Sequence, residues 1–416
     1  MKPRRVVVTG LGALTPIGNT LSKYWEGLIA GTSGADKITY FDPKLFKTQF
    51  ACELKDFDPL DFFDRKESRK YDRFAQYALV TVAEAIENSG LLLEKVDKDR
   101  VGVIWGAGIG GLETFQNEVL NFAEGNENPR FNPFFIPKMI ADIAPGLISI
   151  KYGFRGPNFA TVSACASASN AMIDSLNYIR LGYADVIVTG GSEAAVTKAG
   201  IGGFNAMHAL SKRNDDPKSA SRPFDKNRDG FVLGEGSGAL ILESYEHAMA
   251  RGAKIYAEFS GGGLSADAYH MTAPHPEGLG ATKVMENCLK DANVRFDEVD
   301  IINMHGTSTP LGDIAESNAI VNLFKDHTYK MNINSTKSMT GHLLGAAGAI
   351  EAIASIMAIE NSIVPPTINH KTPDEKIDHK INFTFGKAQK REVNIALSNT
   401  FGFGGHNACV LFKKII

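Results

Sequence analysis

The sequence predicts an α/β fold built from two similar halves. Short runs of β-branched residues alternate with longer stretches of helical periodicity, the pattern of strands that alternate with packing helices. Three segments of the first half also have a counterpart in the second half, in the same order. With 416 residues the chain is long enough for two packed domains, and we place the seam near residue 250, giving halves of 1–250 and 251–416.

Eight apolar segments rich in β-branched residues are predicted strands. They are Arg5–Thr9, Val101–Trp105, Phe159–Ser163, Asp185–Thr189, Lys254–Phe259, Asp300–Met304, Lys330–Ile333 and Val393–Ser398. The longer periodic segments are predicted helices. They include Asp72–Ser89, Ala166–Leu181, Ala281–Ala292, Asp313–Phe324 and His342–Glu360.

The internal similarity lies in three pairs of segments. RRVVVTGLGAL parallels AKIYAEFSGGGL, DRVGVIWGAG parallels EVDIINMHGT, and ATVSACASASNAM parallels NINSTKSMTGHLLGAAG. Each pair is a weak match alone, but their common order indicates a duplicated unit. A duplication brings equivalent strand ends together, so one cleft can take residues from both halves.

Composition excludes several classes of function. Lys plus Arg is 44 and Asp plus Glu is 47, and a net charge of -3 argues against nucleic acid as the main partner. The cysteines Cys52, Cys165, Cys288 and Cys409 are far apart, which gives no support for a zinc or iron–sulfur site and suggests reduced thiols in the cytoplasm. We find no run of about 18 uninterrupted apolar residues, so no membrane helix is expected.

Cys165 is a candidate nucleophile. A strand-like ATVS precedes it and a helical pattern follows, which places the thiol at a helix N-terminus, where the thiolate is favoured. The alternative is a buried cysteine packed between strand and helix. The small residues around it allow a substrate to approach the sulfur, and they equally allow close helix packing.

His305 begins a loop directly after a predicted strand, a position where α/β folds place functional groups. Thr307, Ser308 and Thr309 supply hydroxyls beside it. The alternative is a histidine that caps a turn.

His342 is expected in the first turn of a helix, where the positive end of the helix dipole keeps the imidazole neutral. Lys337 precedes that helix and would need an acidic partner if buried. Glu316, one turn into the helix that follows the His305 loop, is a candidate for that partner.

Two glycine-rich segments are candidates for functional loops. In LSNTFGFGGHN, Leu397 to Asn407, glycines alternate with Phe401 and Phe403, so the loop can expose N–H groups as an oxyanion hole and carry an aromatic gate, or it can be an ordinary turn. GAGIGG, Gly106 to Gly111, matches the dinucleotide-binding pattern, but no suitably placed acidic residue ends a second strand. We therefore expect no nucleotide there.

Together these segments resemble the β-ketoacyl-acyl carrier protein synthases, the condensing enzymes of fatty acid synthesis. TVSACASAS, NMHGTSTPLGD, NSTKSMTGHLLGAAGAIEA, PPTIN and SNTFGFGGHN match that family in order, and RPFDKNRDGFVLGEGSG and ADAYHMTAP look like further family segments. The resemblance is closest to the synthase II subtype and runs nearly end to end. It implies the thiolase fold, five αβαβα layers built from two similar halves, and a homodimer.

The resemblance also implies roles for individual residues. Cys165 matches the nucleophile that accepts the acyl group, and His305 and His342 match the histidines of the catalytic triad. The other implied roles are Lys337 with Glu316 as a supporting pair, Phe403 as gate and oxyanion-hole donor, Thr307 and Thr309 as contacts of the phosphopantetheine arm, and Ile109 and Phe401 as substrate-binding residues.

The implied reaction joins an acyl chain on Cys165 to malonyl-acyl carrier protein, giving 3-oxoacyl-acyl carrier protein and CO2. The partner is acyl carrier protein with its acyl and malonyl groups on 4'-phosphopantetheine. No cofactor, metal, nucleic acid or membrane is expected to take part.

A basic surface offers a dock for that acidic carrier. Lys66, Arg69, Lys70 and Arg73 share one side if their segment is a single helix, and the resemblance implies docking at the first three. The alternative is a solvated basic face. His208 departs from the subtype, which usually has an arginine there.

Three rivals share parts of this pattern. A polyketide ketosynthase has the same triad, and a non-catalytic chain-length subunit has the same fold, although the three catalytic residues together disfavour the latter. A degradative thiolase normally has a second catalytic cysteine in a C-x-G motif near its C-terminus, and Cys409 lacks that setting.

Overall fold

The computed structural model describes residues 3–415, and within that range the strands form one continuous sheet network and two small hairpin-like pairs. The strands are β1 (Val6–Leu14), β2 (Asp36–Lys37), β3 (Phe50–Ala51), β4 (Val101–Gly106), β5 (Asn158–Thr161), β6 (Val186–Glu193), β7 (Gly236–Ser244), β8 (Ala257–Ala266), β9 (Ile301–Asn303), β10 (Asn332–Asn334), β11 (Ile363–Val364), β12 (Gln389–Lys390), β13 (Ile395–Gly402) and β14 (His406–Lys413).

The helices pack on these strands. They are α1 (Leu21–Ala30), α2 (Arg65–Ser68), α3 (Arg73–Ser89), α4 (Leu112–Glu124), α5 (Phe135–Met139), α6 (Ile143–Tyr152), α7 (Ser167–Arg180), α8 (Lys198–Ala206), α9 (Tyr245–Ala250), α10 (Leu279–Asp291), α11 (Gly312–Phe324), α12 (Lys337–Thr340) and α13 (Ala347–Asn361). Short 3₁₀ turns at Ala164–Ala166 and Leu344–Ala346 precede α7 and α13.

The main sheet consists of two five-stranded halves with the same topology. The first has the order β5-β4-β6-β7-β1 and the second β10-β9-β13-β14-β8. In each half the first three strands of that order run parallel and the remaining pairs are antiparallel. Only two residue pairs join β1 to β8. The three similar sequence pairs fall on equivalent strands of the two halves.

The helices and the two halves of the sheet form layers, because each helix packs its apolar side against the sheet. Helices α3 and α6 cover the first five-stranded half of the sheet, and α10 and α11 cover the second half. Helices α7 and α13 lie between the two halves. A helix buried on all sides is apolar all round. Residues Leu344–Asn361 are for this reason long and apolar enough to cross a membrane by composition, yet 83% of that stretch is buried inside the protein.

The two central helices touch closely because small residues face each other. An added Cβ at Gly348 of α13 would lie 2.2 Å from the Ser169 hydroxyl of α7. The glycine-rich start of α13 therefore packs directly against the helix that follows Cys165.

Several element boundaries differ from those expected. The segment predicted as one helix from His342 begins as a helix only at Ala347. Gly341, with φ of 70°, ends the short helix α12, and the N–H of His342 donates to the carbonyl of Val232 in an extended segment. His342 is therefore not in a first helical turn, and the dipole argument for its neutrality was wrong.

The prediction of one basic helix face was also wrong. Helix α2 ends at Ser68, and α3 starts afresh with Asp72 as its N-cap. Arg73 turns inward, where its Nε lies 2.7 Å from a carboxylate oxygen of Glu113. The sequence analysis did not predict the strands β7 and β14. Glycines at the start of β7 weaken its strand pattern, and β14 directly follows the glycine-rich loop.

Candidate active site

The predicted site residues gather because they follow the carboxyl ends of parallel strands. Cys165 follows β5, His305 follows β9, and His342 follows β10 through α12. The Phe401–Phe403 segment ends β13. Since β5 runs parallel to β4, and β10 and β13 both run parallel to β9, the loops after these strands meet at one edge of each half of the sheet.

Cys165 lies in a tight turn with its side chain facing a cavity. Ala164 before it has φ of 50°, an unusual conformation for a residue with a Cβ, and Cys165 itself is only 7% exposed. The glycine-rich loop lies directly on this turn. An added Cβ at Gly402 would sit 2.7 Å from the carbonyl oxygen of Ser163.

The three reactive side chains lie together. His342 Nε2 is 3.0 Å from Cys165 Sγ, and the His305 ring centroid is 5.2 Å from that of His342, at 86°. One donor atom from each residue falls within 4.8 Å of the other two. Phe231 packs its ring edge-to-face against His342 at 5.3 Å and helps to fix it; sequence reasoning did not find this residue.

Burial sets the protonation states. It raises the pKa of the Cys165 thiol to about 12, although the Lys337 charge and the N–H groups of Phe403 and Cys165 act in the opposite direction. The expectation of a resting thiolate was therefore wrong, because desolvation outweighs the helix terminus. Burial, followed by the Lys337 charge, holds the pKa of His305 and of His342 well below the usual range, so both imidazoles are neutral.

The ion pair expected between Lys337 and Glu316 is not formed. Lys337 Nζ instead contacts Glu351 of α13, and both side chains are at most 1% exposed. Glu316 accepts the N–H groups of His305 and Gly306, each at 2.9 Å, and so holds the histidine loop. Burial raises the pKa of Glu316 and of Glu351 to about 7, against the influence of Lys337.

Two groups of atoms have the chemistry of metal ligands. The sulfur and imidazole nitrogens of the triad suit a zinc-like ion by donor type, but such an ion would occupy the nucleophile. Among the described residues, buried oxygens without a hydrogen-bond partner include those of four side chains on β9, α13 and β13, and their donor type suits a hard cation. They belong to Asn303, Glu351, Ser398 and Asn399.

The triad opens into a cavity of about 580 Å³. The predicted substrate residues Ile109, Thr307, Thr309, Phe401 and Phe403 all line it, and so do His208 and Glu316. The hydroxyls of Thr307 and Thr309 are 3.1 Å apart.

Backbone N–H groups of the glycine motif GAGIGG bind the side-chain carboxyl group of another residue of the same chain. The N–H groups of Gly108 and Ile109 donate to Glu193 at the end of β6, at 2.9 and 3.2 Å. A side chain of the same protein therefore occupies the N–H groups of this turn. The sequence analysis did not single out the buried acids Glu193 and Glu351, although a glutamate in an otherwise apolar segment is a signal that could have found them.

The basic residues expected to dock a carrier lie outside the cavity. Lys66 and Arg69 are exposed, and Lys70 is half-buried, with its ammonium 6.0 Å from the ring centroid of Phe134.

Comparison with known proteins identifies the family. Residues 3–248 match the model of the β-ketoacyl synthase N-terminal domain, and residues 256–371 match that of the C-terminal domain. The chain belongs to the β-ketoacyl synthase family. The predicted family and the thiolase fold class are thereby confirmed.

Relatives of this β-ketoacyl synthase cover its full length. It is 49% identical over 414 residues to the 3-oxoacyl-[acyl-carrier-protein] synthase 2 of Synechocystis, covering 100% of this chain and 99% of the relative. It is 47% identical over 417 residues to the protein of the same name from Coxiella burnetii, covering 100% of both chains.

Solved structures of ketosynthases have the same fold. The ishigamide ketosynthase/chain length factor superposes with a TM-score of 0.93 at 34% identity, covering 100% of both chains. A type II PKS acyl-carrier protein in complex with its ketosynthase gives 0.91 at 33%, again covering 100% of both chains.

Proposed function

We propose that this β-ketoacyl synthase elongates acyl chains by decarboxylative condensation with malonyl-acyl carrier protein. The observation that carries the proposal is the 3.0 Å approach of His342 Nε2 to Cys165 Sγ, with His305 beside them, at the wall of one cavity. A buried thiol, a neutral imidazole that can accept its proton and aimed backbone N–H groups are the components of thioester exchange.

In the first half-reaction the Cys165 sulfur attacks the acyl thioester. Because the resting group is a thiol, its proton must leave as the sulfur attacks, and neutral His342 is placed to accept it. The carrier thiol leaves and takes up the proton, so one thioester replaces another. The N–H groups of Cys165 and Phe403 stabilise the oxyanion of the tetrahedral intermediate.

In the second half-reaction the malonyl carboxylate leaves as CO2, and the electron pair forms an enolate. His305 and His342, both neutral, are placed to donate hydrogen bonds to the enolate oxygen. The enolate carbon attacks the acyl carbonyl on Cys165, the carbon–sulfur bond breaks, and 3-oxoacyl carrier is released. The cysteine leaves as thiolate and takes up a proton from water, which balances the negative charge of the malonyl carboxylate lost as CO2.

The partner is acyl carrier protein, whose phosphopantetheine arm enters the cavity past Thr307 and Thr309. Its acidic surface docks at Lys66, Arg69 and Lys70. Four buried thiols without a disulfide among the described residues agree with a cytoplasmic setting.

We further propose that the protein is a homodimer. Strand β5 is the outermost strand of its sheet, so one side has free backbone groups, and Val162 beside it is 62% exposed. The neighbouring helices α4 and α5 and their connection expose Phe115, Phe131 and Phe134. An exposed strand edge flanked by aromatic side chains is a surface that a second copy can cover.

Two observations favour fatty acid elongation over the rivals. Identity to the synthase 2 relatives is 47–49%, against 33% for the type II PKS ketosynthase and 34% for the ishigamide ketosynthase/chain length factor. The complete triad argues against a non-catalytic chain-length subunit.

The test incubates the enzyme with malonyl-carrier and a series of acyl-carrier substrates from short to long chains. Mass spectrometry then identifies the acylated residue and the products. Wild type is expected to acylate at Cys165 and to release 3-oxoacyl carrier and CO2, whereas Cys165→Ala does neither. Acylation at Cys288 or Cys409, or condensation by Cys165→Ala, would refute the proposal. Strong preference for a polyketone over saturated chains would favour the polyketide rival.

A further inference from the structure

Glu193 is a buried carboxylate that belongs to none of the reactive groups described above. It ends β6, its side chain is fully buried, and it lies beneath the loop that carries Ile109 into the cavity. Lys337, the buried lysine of the site, pairs with Glu351 instead. The carboxyl oxygens of Glu193 accept hydrogen bonds from backbone N–H groups alone.

These donors come from two loops that the chain order keeps far apart. Oε2 accepts the N–H of Gly108 at 2.9 Å and that of Gly345 at 3.0 Å, while Oε1 accepts the N–H of Ile109 at 3.2 Å. Gly108 and Ile109 belong to the cavity wall after β4. Gly345 belongs to the 3₁₀ turn that follows His342. One carboxylate therefore joins the acyl-pocket wall to the histidine segment.

The glycines at this junction leave no room for another arrangement. A Cβ at Gly108 would lie 2.5 Å from Glu193 Oε2, and a Cβ at Gly345 would lie 2.2 Å from the Gly108 nitrogen. Such close backbone approach requires both positions to lack a side chain. At this contact the Glu193 carboxyl group lies between the two loops and satisfies their buried N–H groups.

We propose that Glu193 is a positioning residue that fixes the Ile109 wall against the His342 segment and thereby sets which acyl chains the enzyme accepts. The inference rests on the proposed condensing function. Ile109 is 42% exposed and faces the cavity, so its side chain is free to contact an acyl chain. A wall held by three hydrogen bonds to one buried carboxyl group discriminates chain lengths better than a wall that moves.

The variant Glu193→Gln tests this directly. The amide has the same shape, but its NH2 group faces backbone N–H donors, so part of the junction opens. We expect the ratio of kcat/KM between the best and worst acyl chains of the series to fall roughly tenfold. Malonyl-carrier decarboxylation, which needs no acyl-chain wall, is expected to stay within about twofold of wild type.

Glu84→Gln is the matched control. Glu84 in α3 also accepts two backbone N–H groups, of Ala13 at 2.8 Å and Leu21 at 2.7 Å, and it does not line the cavity. It is expected to leave the chain-length ratio unchanged. Glu193→Asp, which keeps the charge on a shorter arm, replaces Glu193→Gln if the latter does not fold, and the same fall in the ratio is expected.

A double-variant cycle tests whether Glu193 affects chain-length selectivity through Ile109. In an Ile109→Ala background the ratio is already lowered, so Glu193→Gln is expected to change it no further. An unchanged ratio in both Glu193 variants, equal loss of decarboxylation and elongation, or a full additive effect with Ile109→Ala would overturn the proposal. Failure of the wild type to release any 3-oxoacyl carrier would instead refute the condensing function.

Discussion

The buried pair of Lys337 and Glu351 gives the sharpest test of the structure, because the sequence pointed to a different partner. The perturbation is Lys337→Met, which removes the ammonium and keeps an unbranched apolar chain. Both side chains are at most 1% exposed, so no solvent replaces the lost partner. Glu351 must then stay charged without a partner or take up a proton.

The magnitude follows from the second option. Protonation of a carboxyl with an unfolded pKa near 4.3 costs about 2 kcal/mol at about pH 6 and about 5 kcal/mol at about pH 8, which sets the upper limit of the loss. Because burial already raises the pKa of Glu351 to about 7 beside Lys337, wild type itself holds most of this proton at the lower pH, and the difference between variant and wild type arises mainly at the higher pH. Loss of one partner of a buried pair typically costs about 3–5 kcal/mol. Because the native state would hold a proton that the unfolded state releases, the stability of the variant falls as pH rises through this range.

The assay is urea unfolding of the single and double variants at both pH values. Lys337→Met is expected to lose about 2 kcal/mol or less at the lower pH and about 3–5 kcal/mol at the higher. Adding Glu351→Gln is expected to recover most of the loss and to remove its pH dependence.

Glu316→Gln in the same background is the control, since Glu316 accepts two backbone N–H groups rather than the ammonium. It is expected to recover nothing. Recovery by Glu316→Gln instead of Glu351→Gln, or a loss that does not change with pH, would refute this account of the pair.

Three further predictions concern activity. His342→Ala is expected to slow decarboxylation by about 10²–10³, with a smaller loss in acylation because the backbone N–H donors remain; separate assays of CO2 release and enzyme acylation check this. Gly402→Ala is expected to impair acylation while decreasing stability, because the new Cβ would lie 2.7 Å from the Ser163 carbonyl; intact mass and thermal unfolding measure both. Charge reversal at Lys66 and Arg69 is expected to raise KM for carrier substrates, more at low than at high salt, and to leave kcat unchanged.

The sequence predicted which elements carry the site better than it predicted their local geometry. Cys165, His305 and His342 each follow a strand, and residues after parallel strands converge at one sheet edge whatever the detailed loop shapes. The duplicated topology made that convergence predictable, because equivalent strand ends of two similar units face a common cleft.

Protonation states were not predictable in the same way. Placing Cys165 near a helix N-terminus favours thiolate, but the same packing that builds the cleft removes water from the sulfur, and desolvation is the larger effect on its pKa. The sequence indicates the terminus and not the depth of burial. For His342 the expected neutrality is correct for a different reason, since burial and Lys337 lower its pKa and no helix begins there.

The partner of Lys337 could not be predicted from local sequence motifs alone. Glu316 is close to His305 in sequence and follows a recognisable motif, whereas Glu351 lies in the apolar helix α13 and looks like an interruption of it. Which carboxylate meets the ammonium depends on how α13 is seated between the two sheets, and that is fixed by close contacts such as Gly348 against Ser169. A charge inside a helix that is buried on every side needs a partner from another segment, so Glu351 itself was the evidence that Lys337 is paired there.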